Sequence, residues 1–462
     1  MTPQAQEPRP ISLLVTGADV VTFDDRDTLV HDGAIAIDGD SILWIGPASE
    51  AATLFAPADT VRASGLIAMP GFIDCHVHTG QQFLHGKLPS LRRRGELRNP
   101  IWIRYLIPFE SCLSPEDVYS SGIAAYSAMI RSGTTCFLEA GGPFPDQMGR
   151  AADDIGIRAR IAMATVDATE DIPPQCRMDT AVALRESEAL VNRWKSHPRV
   201  NAWLSLRQLM VNSDALRLGM RDIAHALDTP IHTHLAEGTY EVDYSIARWN
   251  VRSAEYLERT GCLDHHVHAA HSVLLSLNEL DLYAARDVSA CHCALNNYTM
   301  GRPRLLEMMR RNIRVGLGTD GAATRASLDM FQVVHGAVLG QQAVNGTPYH
   351  VDPPVTHEQM LKQALRGGAR AARLDRHIGS LEPGKKADIV LVSTSDYDQF
   401  PNFDPVITLA ESSVGRDVHT VIIDGRVVLK DRELLTVDLA RMREQVAANY
   451  KSIMSRFDTA IA

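Results

Sequence analysis

The sequence predicts an α/β protein, a (β/α)8 TIM-like barrel carrying a small β-sandwich domain built from both chain termini. Three observations predict it. Apolar β-rich runs alternate with helical patterns from about residue 65 to 375, the same Asp-Gly turn chemistry occurs near both ends, and polar residues cluster where the apolar runs stop. The expected domains are 1–64 for the first part of the sandwich, 65–375 for the barrel, and 376–462 for the second part of the sandwich with a C-terminal helix.

The first β-rich stretch is Ile11 to Phe23, followed by Gly33 to Ile37 and Ser41 to Ile45 around Asp38-Gly39, a dipeptide that favours a hairpin. The pattern returns with Ala387 to Val392, then Val418 to Ile423 and Arg426 to Leu429 around Asp424-Gly425. Matching turns at the two ends predict one sheet module with the middle of the chain inserted into it. Inside the middle, eight strand candidates follow in order: Leu66 to Asp74, Thr134 to Glu139, Ile157 to Val166, Val200 to Leu206, Pro230 to Leu235, His265 to His271, Val288 to Ala294 and Ile313 to Thr319. One helix is bracketed by Ser114-Pro115-Glu116-Asp117 and Gly133, and others start at Ser276 with Glu279 and at Thr356 with Gln359, both capping-box spacings.

Composition narrows the partners. With 46 Lys+Arg against 56 Asp+Glu the chain carries a formal charge of −10, which argues against a grip on nucleic acid. No apolar run of about 20 residues is present to span a membrane, and Met1 to Pro10 lacks the basic start and apolar run of a secretory leader. Seven cysteines without paired spacing, apart from Cys291 and Cys293, fit reduced thiols in the cytoplasm.

Barrels place their chemistry at the C-terminal ends of the strands. The first strand runs into Cys75-His76-Val77-His78, and residues two apart on a strand share a face, so His76 and His78 can meet one cation at about 2.0–2.1 Å. An HxH pair alone is weak, since His232-Thr233-His234 and His266-Val267-His268 are further examples among 18 histidines. The fifth, sixth and eighth strands, however, also end in His234, His271 and Asp320, an imidazole and carboxylate set suited to Zn2+ or Fe2+ with a position open to water. Glu237, three residues past His234, is the leading proton shuttle. Cys291-His292-Cys293 reads as core packing, Leu91 to Glu96 as a solvated basic loop, and Glu139 has no assigned role.

Pro70-Gly71-Phe72-Ile73-Asp74-Cys75-His76-Val77-His78, Gly133-Thr134-Thr135, His232 to Glu237, Ala270-His271-Ser272, Gly318-Thr319-Asp320-Gly321 and Gly379 to Asp388 follow one another along nearly the whole chain. This series resembles the amidohydrolase superfamily, in its branch of aminohydrolases and chlorohydrolases acting on nitrogen heterocycles. The resemblance implies that His76, His78, His234 and Asp320 hold one divalent metal, that His271 orients the attacking water, and that Glu237 moves protons, with Asp320 as a second base. Binuclear relatives need a Lys or Glu at the end of the fourth strand; Arg207-Gln208 stands there, so one ion per chain is expected, Zn2+ before Fe2+. The family pattern selects His234 over His232, which spacing does not.

For substrate contacts the resemblance points to Gln81, which can pair with an adjacent donor and acceptor on a ring, and to Arg207, similar to the fourth-strand Arg of guanine deaminases although Gln208 replaces the usual Phe. It also points to His292 and Asn297 on the seventh-strand pattern, here interrupted by Cys293-Ala294-Leu295-Asn296. The implied activity is hydrolysis of a C–N bond of an aminated heterocycle such as a purine, pterin or triazine. The alternatives are an acyclic urea or carbamate, dechlorination of a triazine-like ring, and an inactive scaffold. The expected partners are a small-molecule substrate and further copies of the chain in a homodimer or larger homo-oligomer.

Overall fold

The computed structural model describes residues 7–169, 172–324, 327–346 and 353–461. Met1–Gln6, on which the expectation about a leader partly rests, lie outside the described residues. Both chain ends enter one nine-stranded sheet. Its central pairing joins Leu66–Pro70 to Ile389–Ser393, antiparallel, with Ile389 opposite Pro70 and Ser393 opposite Leu66. Arg9–Val21 continues the sheet on one side and Val418–Ile423 on the other. Inward residues of both halves, among them Leu13, Val15, Ile35, Ile389, Leu391 and Ile422, close over a core of their own. The two Asp-Gly turns form as expected but with different geometry. Asp424 and Gly425 lie between paired Ile423 and Arg426 with both φ positive, as a type I′ turn requires, whereas between Asp38 and Ser41 the left-handed position falls to Gly39.

The barrel strands are Phe72–Val77, Thr134–Glu139, Arg158–Ile161, a fourth in two pieces, Ile231–Leu235, Val267–His271, Ser289–His292 and Arg314–Leu317, all pairing in parallel. Three strands differ from the expected ones, the third barrel strand because it stops at Ile161 where Val166 was expected. The run Leu66 to Asp74 is not one strand: Leu66–Pro70 belongs to the terminal sheet, so that sheet extends past the boundary expected at 64, and Phe72–Val77 begins the barrel. Gly71 makes the turn between them, where any Cβ would collide with the Thr135 side chain. The fourth strand breaks at Trp203, so that Val200–Ala202 pairs with the third strand and Leu204–Gln208 with the fifth. The Trp203 indole lies inside the barrel and donates to the Glu139 carbonyl at 2.9 Å.

Helix Pro115–Arg131 carries its predicted cap, with the Ser114 hydroxyl accepting from the Asp117 backbone N–H, and capping boxes at Ser276 and Thr356 also form. The helix Leu439–Ala460 leaves the terminal sheet and packs on the barrel side, with Phe457 edge-on to Phe109 at 5.3 Å. No helix among the described residues is long and apolar enough to cross a membrane.

Candidate active site

His76, His78, His234, His271, Glu237 and Asp320 converge at the C-terminal end of the barrel. The strand ends that carry them are bent: Ala236, His271, Ser272 and Asp320 all have positive φ, a conformation that non-glycine residues hold only when their surroundings enforce it. The enforcing contacts are visible. The Asp320 backbone N–H donates to the His76 carbonyl at 2.9 Å, closing the barrel between its last and first strands, and the Ser272 N–H donates to Leu235 at 3.0 Å. Buried Glu241 accepts from the N–H groups of Ala236 and Glu237 at 2.9 and 3.1 Å, which fixes the turn that presents Glu237. Below the turn of the first strand, buried Asp74 accepts from the N–H groups of His76 and Thr319.

The donor set fits a divalent ion. His78 Nε2 and His234 Nε2 face each other at 3.2 Å. Asp320 Oδ1 stands 3.5 Å from His76 Nε2 and 3.7 Å from His78 Nε2. The His234 Nδ1–H donates to the Arg207 carbonyl at 2.8 Å, which leaves Nε2 as a lone pair. Burial and the neighbouring imidazoles hold His78 and His234 well below the ordinary histidine pKa, so both are neutral, as ligands must be. His76 Nε2 is buried with no hydrogen-bond partner. Opposed lone pairs with a carboxylate beside them are unfavourable together unless a cation lies among them. Burial opposes charge on Asp320 too, but the close imidazoles of His76, His271 and His78 keep its carboxyl well below the usual range.

Glu237 and His271 form the other wall. Glu237 Oε2 accepts from the Tyr240 hydroxyl at 2.6 Å and from Gln208 Nε2 at 2.7 Å, while Oε1 lies 3.7 Å from His271 Nε2. The far side of the His271 ring is fixed by Nδ1 donating to Asn297 Oδ1 at 3.0 Å. Burial works against a charge on His271, yet Glu237, Cys293 and Asp320 raise its pKa well above the ordinary value.

The residues expected to touch substrate fall into two groups. Gln81 and His292 each retain a buried atom without a partner, Oε1 and Nε2 respectively. Arg207 and Asn297 are engaged inside the protein. Arg207 makes a two-pronged ion pair with Glu110 at 2.5 and 3.2 Å, and Asn297 is fully buried, bonding His271 on one side and the His292 Nδ1 at 2.9 Å on the other. Glu110 also accepts from Gln81 Nε2 at 2.9 Å.

Sequence reasoning passed over Glu110, Tyr240, Cys293 and His232. Glu110 comes from a helix well past the first strand, with nothing in its spacing to mark it. Cys293, read as core, borders the site, with its Sγ within 4.8 Å of nitrogens of His76 and His271. His232 lies one inward step below His234, and its Nε2 is 2.9 Å from His76 Nδ1. The alternation of the fifth strand could have suggested that support.

Residues 67–428 match the model of the amidohydrolase family. Over 449 residues the chain is 29% identical to a 5-methylthioadenosine/S-adenosylhomocysteine deaminase of Pelotomaculum thermopropionicum, covering 96% of this chain and 99% of that protein. It is 30% identical over 430 residues to the protein of the same name from Desulforudis audaxviator, covering 92% and 95%. In three dimensions it resembles an adenosine deaminase from Xanthomonas campestris with bound zinc, at a TM-score of 0.88 and 28% identity, covering 98% and 100%. An atrazine chlorohydrolase from Arthrobacter aurescens complexed with zinc shares the fold, at a TM-score of 0.82 and 22% identity over 96% and 99% of the two chains.

Proposed function

The chain belongs to the amidohydrolase family, and from that premise we propose that it is a zinc-dependent deaminase replacing the exocyclic amine of an adenine nucleoside with a carbonyl. The observation that carries this is the convergence of His76, His78, His234, Asp320, Glu237 and His271 in a chain similar over nearly its full length to adenosine-type deaminases.

His76, His78, His234 and Asp320 would hold a divalent ion, which as a Lewis acid would lower the pKa of water to about 7. The remaining work falls to the chain. Glu237, with one oxygen held by Gln208 and Tyr240, takes a proton from the attacking water and delivers it to the departing nitrogen, so that a C–O bond forms, the C–N bond breaks and ammonia leaves. His271, anchored by Asn297, orients the water, and Asp320 is the second proton acceptor. The unpaired Gln81 Oε1 and the neutral His292, whose pKa burial depresses to about 3, meet the edge of the base. Arg207 and Glu110 neutralise each other, which suits an uncharged nucleoside better than an anionic ring. Exposed Tyr397, Phe400 and Phe403 support assembly into a homodimer or larger oligomer, and seven free thiols support a cytoplasmic setting.

Ammonia release tests the reading. Adenosine, 5-methylthioadenosine and S-adenosylhomocysteine are compared with guanine, a chlorotriazine and a phenylurea on metal-loaded protein. The expected kcat/KM favours the adenine nucleosides by about 100-fold or more. Turnover of the triazine or the urea with none of the nucleosides would transfer the assignment to dechlorination or acyclic C–N hydrolysis.

A further inference from the structure

At the N-terminal end of the barrel, opposite the imidazole cluster, lies a cavity of about 220 Å³. Its polar lining is Arg158, Arg160, Arg199, Asn201, His377 and Lys386, and no acidic residue lines it. Four obligate cations thus meet around one space in a chain whose net charge is −10. Three of them are matched by carboxylates outside the wall. Arg158 pairs with Asp388 at 2.9 Å and Asp424 at 2.7 Å, Arg199 with Asp153 at 2.5 Å, and Lys386 with Asp40. The Arg160 side chain has no ion pair or hydrogen bond among the described residues, and its Nε is buried without a partner, as is the Nε of Arg199.

A guanidinium cannot escape an unfavourable setting by shedding its proton at neutral pH. Even pulled down to about 10 by burial, Arg160 stays charged. An inward-facing permanent charge with no protein counter-ion calls for one from solution. We propose that this cavity is a binding site for a small tetrahedral oxyanion of the phosphate class, held by Arg160 with help from Arg199 and His377. Guanidinium donors in a fixed fork match such oxygens; Asn201 takes no part, since its Nδ2 already donates to the Trp194 and His197 carbonyls at 3.2 Å each. The space exceeds a single water's share of about 30 Å³ several-fold, so an ion has room. The bound anion would join the third and fourth barrel strands to the segment Leu374–Lys386 that leads into the terminal sheet.

The test is calorimetric titration of inorganic phosphate into metal-loaded protein at constant chloride, with AMP as a second titrant. The expected result is one saturable phosphate site per chain that Arg160→Met weakens at least about ten-fold and Arg199→Gln several-fold. Without phosphate, Arg160→Met should melt no lower than the parent, because it removes an unpaired, partly buried charge. With phosphate it should lose the rise in Tm that the parent gains. If Arg160→Met does not fold, Arg199→Gln and His377→Gln carry the same comparison. No saturable phosphate binding up to about 20 mM, binding unchanged in the variants, or binding of AMP alone would each overturn the assignment.

Discussion

The barrel holds two tiers of imidazoles that strand alternation treats alike. In the upper tier His78 and His234 meet through Nε2, and Asp320 reaches His76 and His78. In the lower tier His232 and His268 lean on the Trp203 indole, with ring centroids 5.5 and 5.2 Å away, and direct Nε2 at protein atoms: His76 Nδ1 at 2.9 Å and the Cys75 carbonyl at 3.0 Å. Residue type and strand face are the same; depth decides whether the chain itself supplies the partner of Nε2. The upper tier offers lone pairs to an ion, and the lower tier holds one upper ring in place, an orienting role that commonly matters to a metal site about ten- to a hundred-fold.

The sharpest way to break that comparison is in the upper tier. His234→Ala should abolish both turnover and the bound equivalent of metal, measured by elemental analysis alongside ammonia release. Glu237→Gln should keep the metal and lose turnover by roughly 100- to 10,000-fold, since the amide preserves the shape and cannot carry a proton. His232→Phe, which retains ring packing but removes the nitrogen behind His76, should weaken metal affinity or turnover by about 10- to 100-fold; a chelator competition assay that leaves affinity unchanged would deny the lower tier its supporting role. Tyr240→Phe should reduce kcat by about ten-fold or less, because Gln208 still holds the same Glu237 oxygen. His268→Gln comes last, with turnover within about three-fold of the parent and unfolding free energy lowered by about 1–3 kcal/mol in denaturant titration.

The sequence announced the upper tier because the information is local. His76 and His78 sit two apart at the end of an apolar run, and His234, His271 and Asp320 each end another. The lower tier was hidden, because His232 and His234 are equivalent in period and only their depth along the barrel axis separates them. Glu110 was invisible for another reason: its partners Gln81 and Arg207 are distant in the chain and meet it only after folding. The misreadings of the first and fourth strands have a common cause. Neither the collision that forces a glycine between Pro70 and Phe72 nor the change of neighbours at Trp203 leaves a mark on hydrophobic periodicity, which continues through both.

A single residue, Gly71, lies between a central strand of the terminal sheet and the strand that bears His76. The terminal module is therefore a foundation for the catalytic machinery rather than an appendage. Deleting the segment that contains Ile389–Ser393 would leave Leu66–Pro70 with an open edge, prone to pair with other chains, and would unmoor the strand Phe72–Val77 that carries His76. Transplanting the barrel alone into another scaffold would fail for the same reason, and the exchangeable unit is the barrel together with both flanking arms.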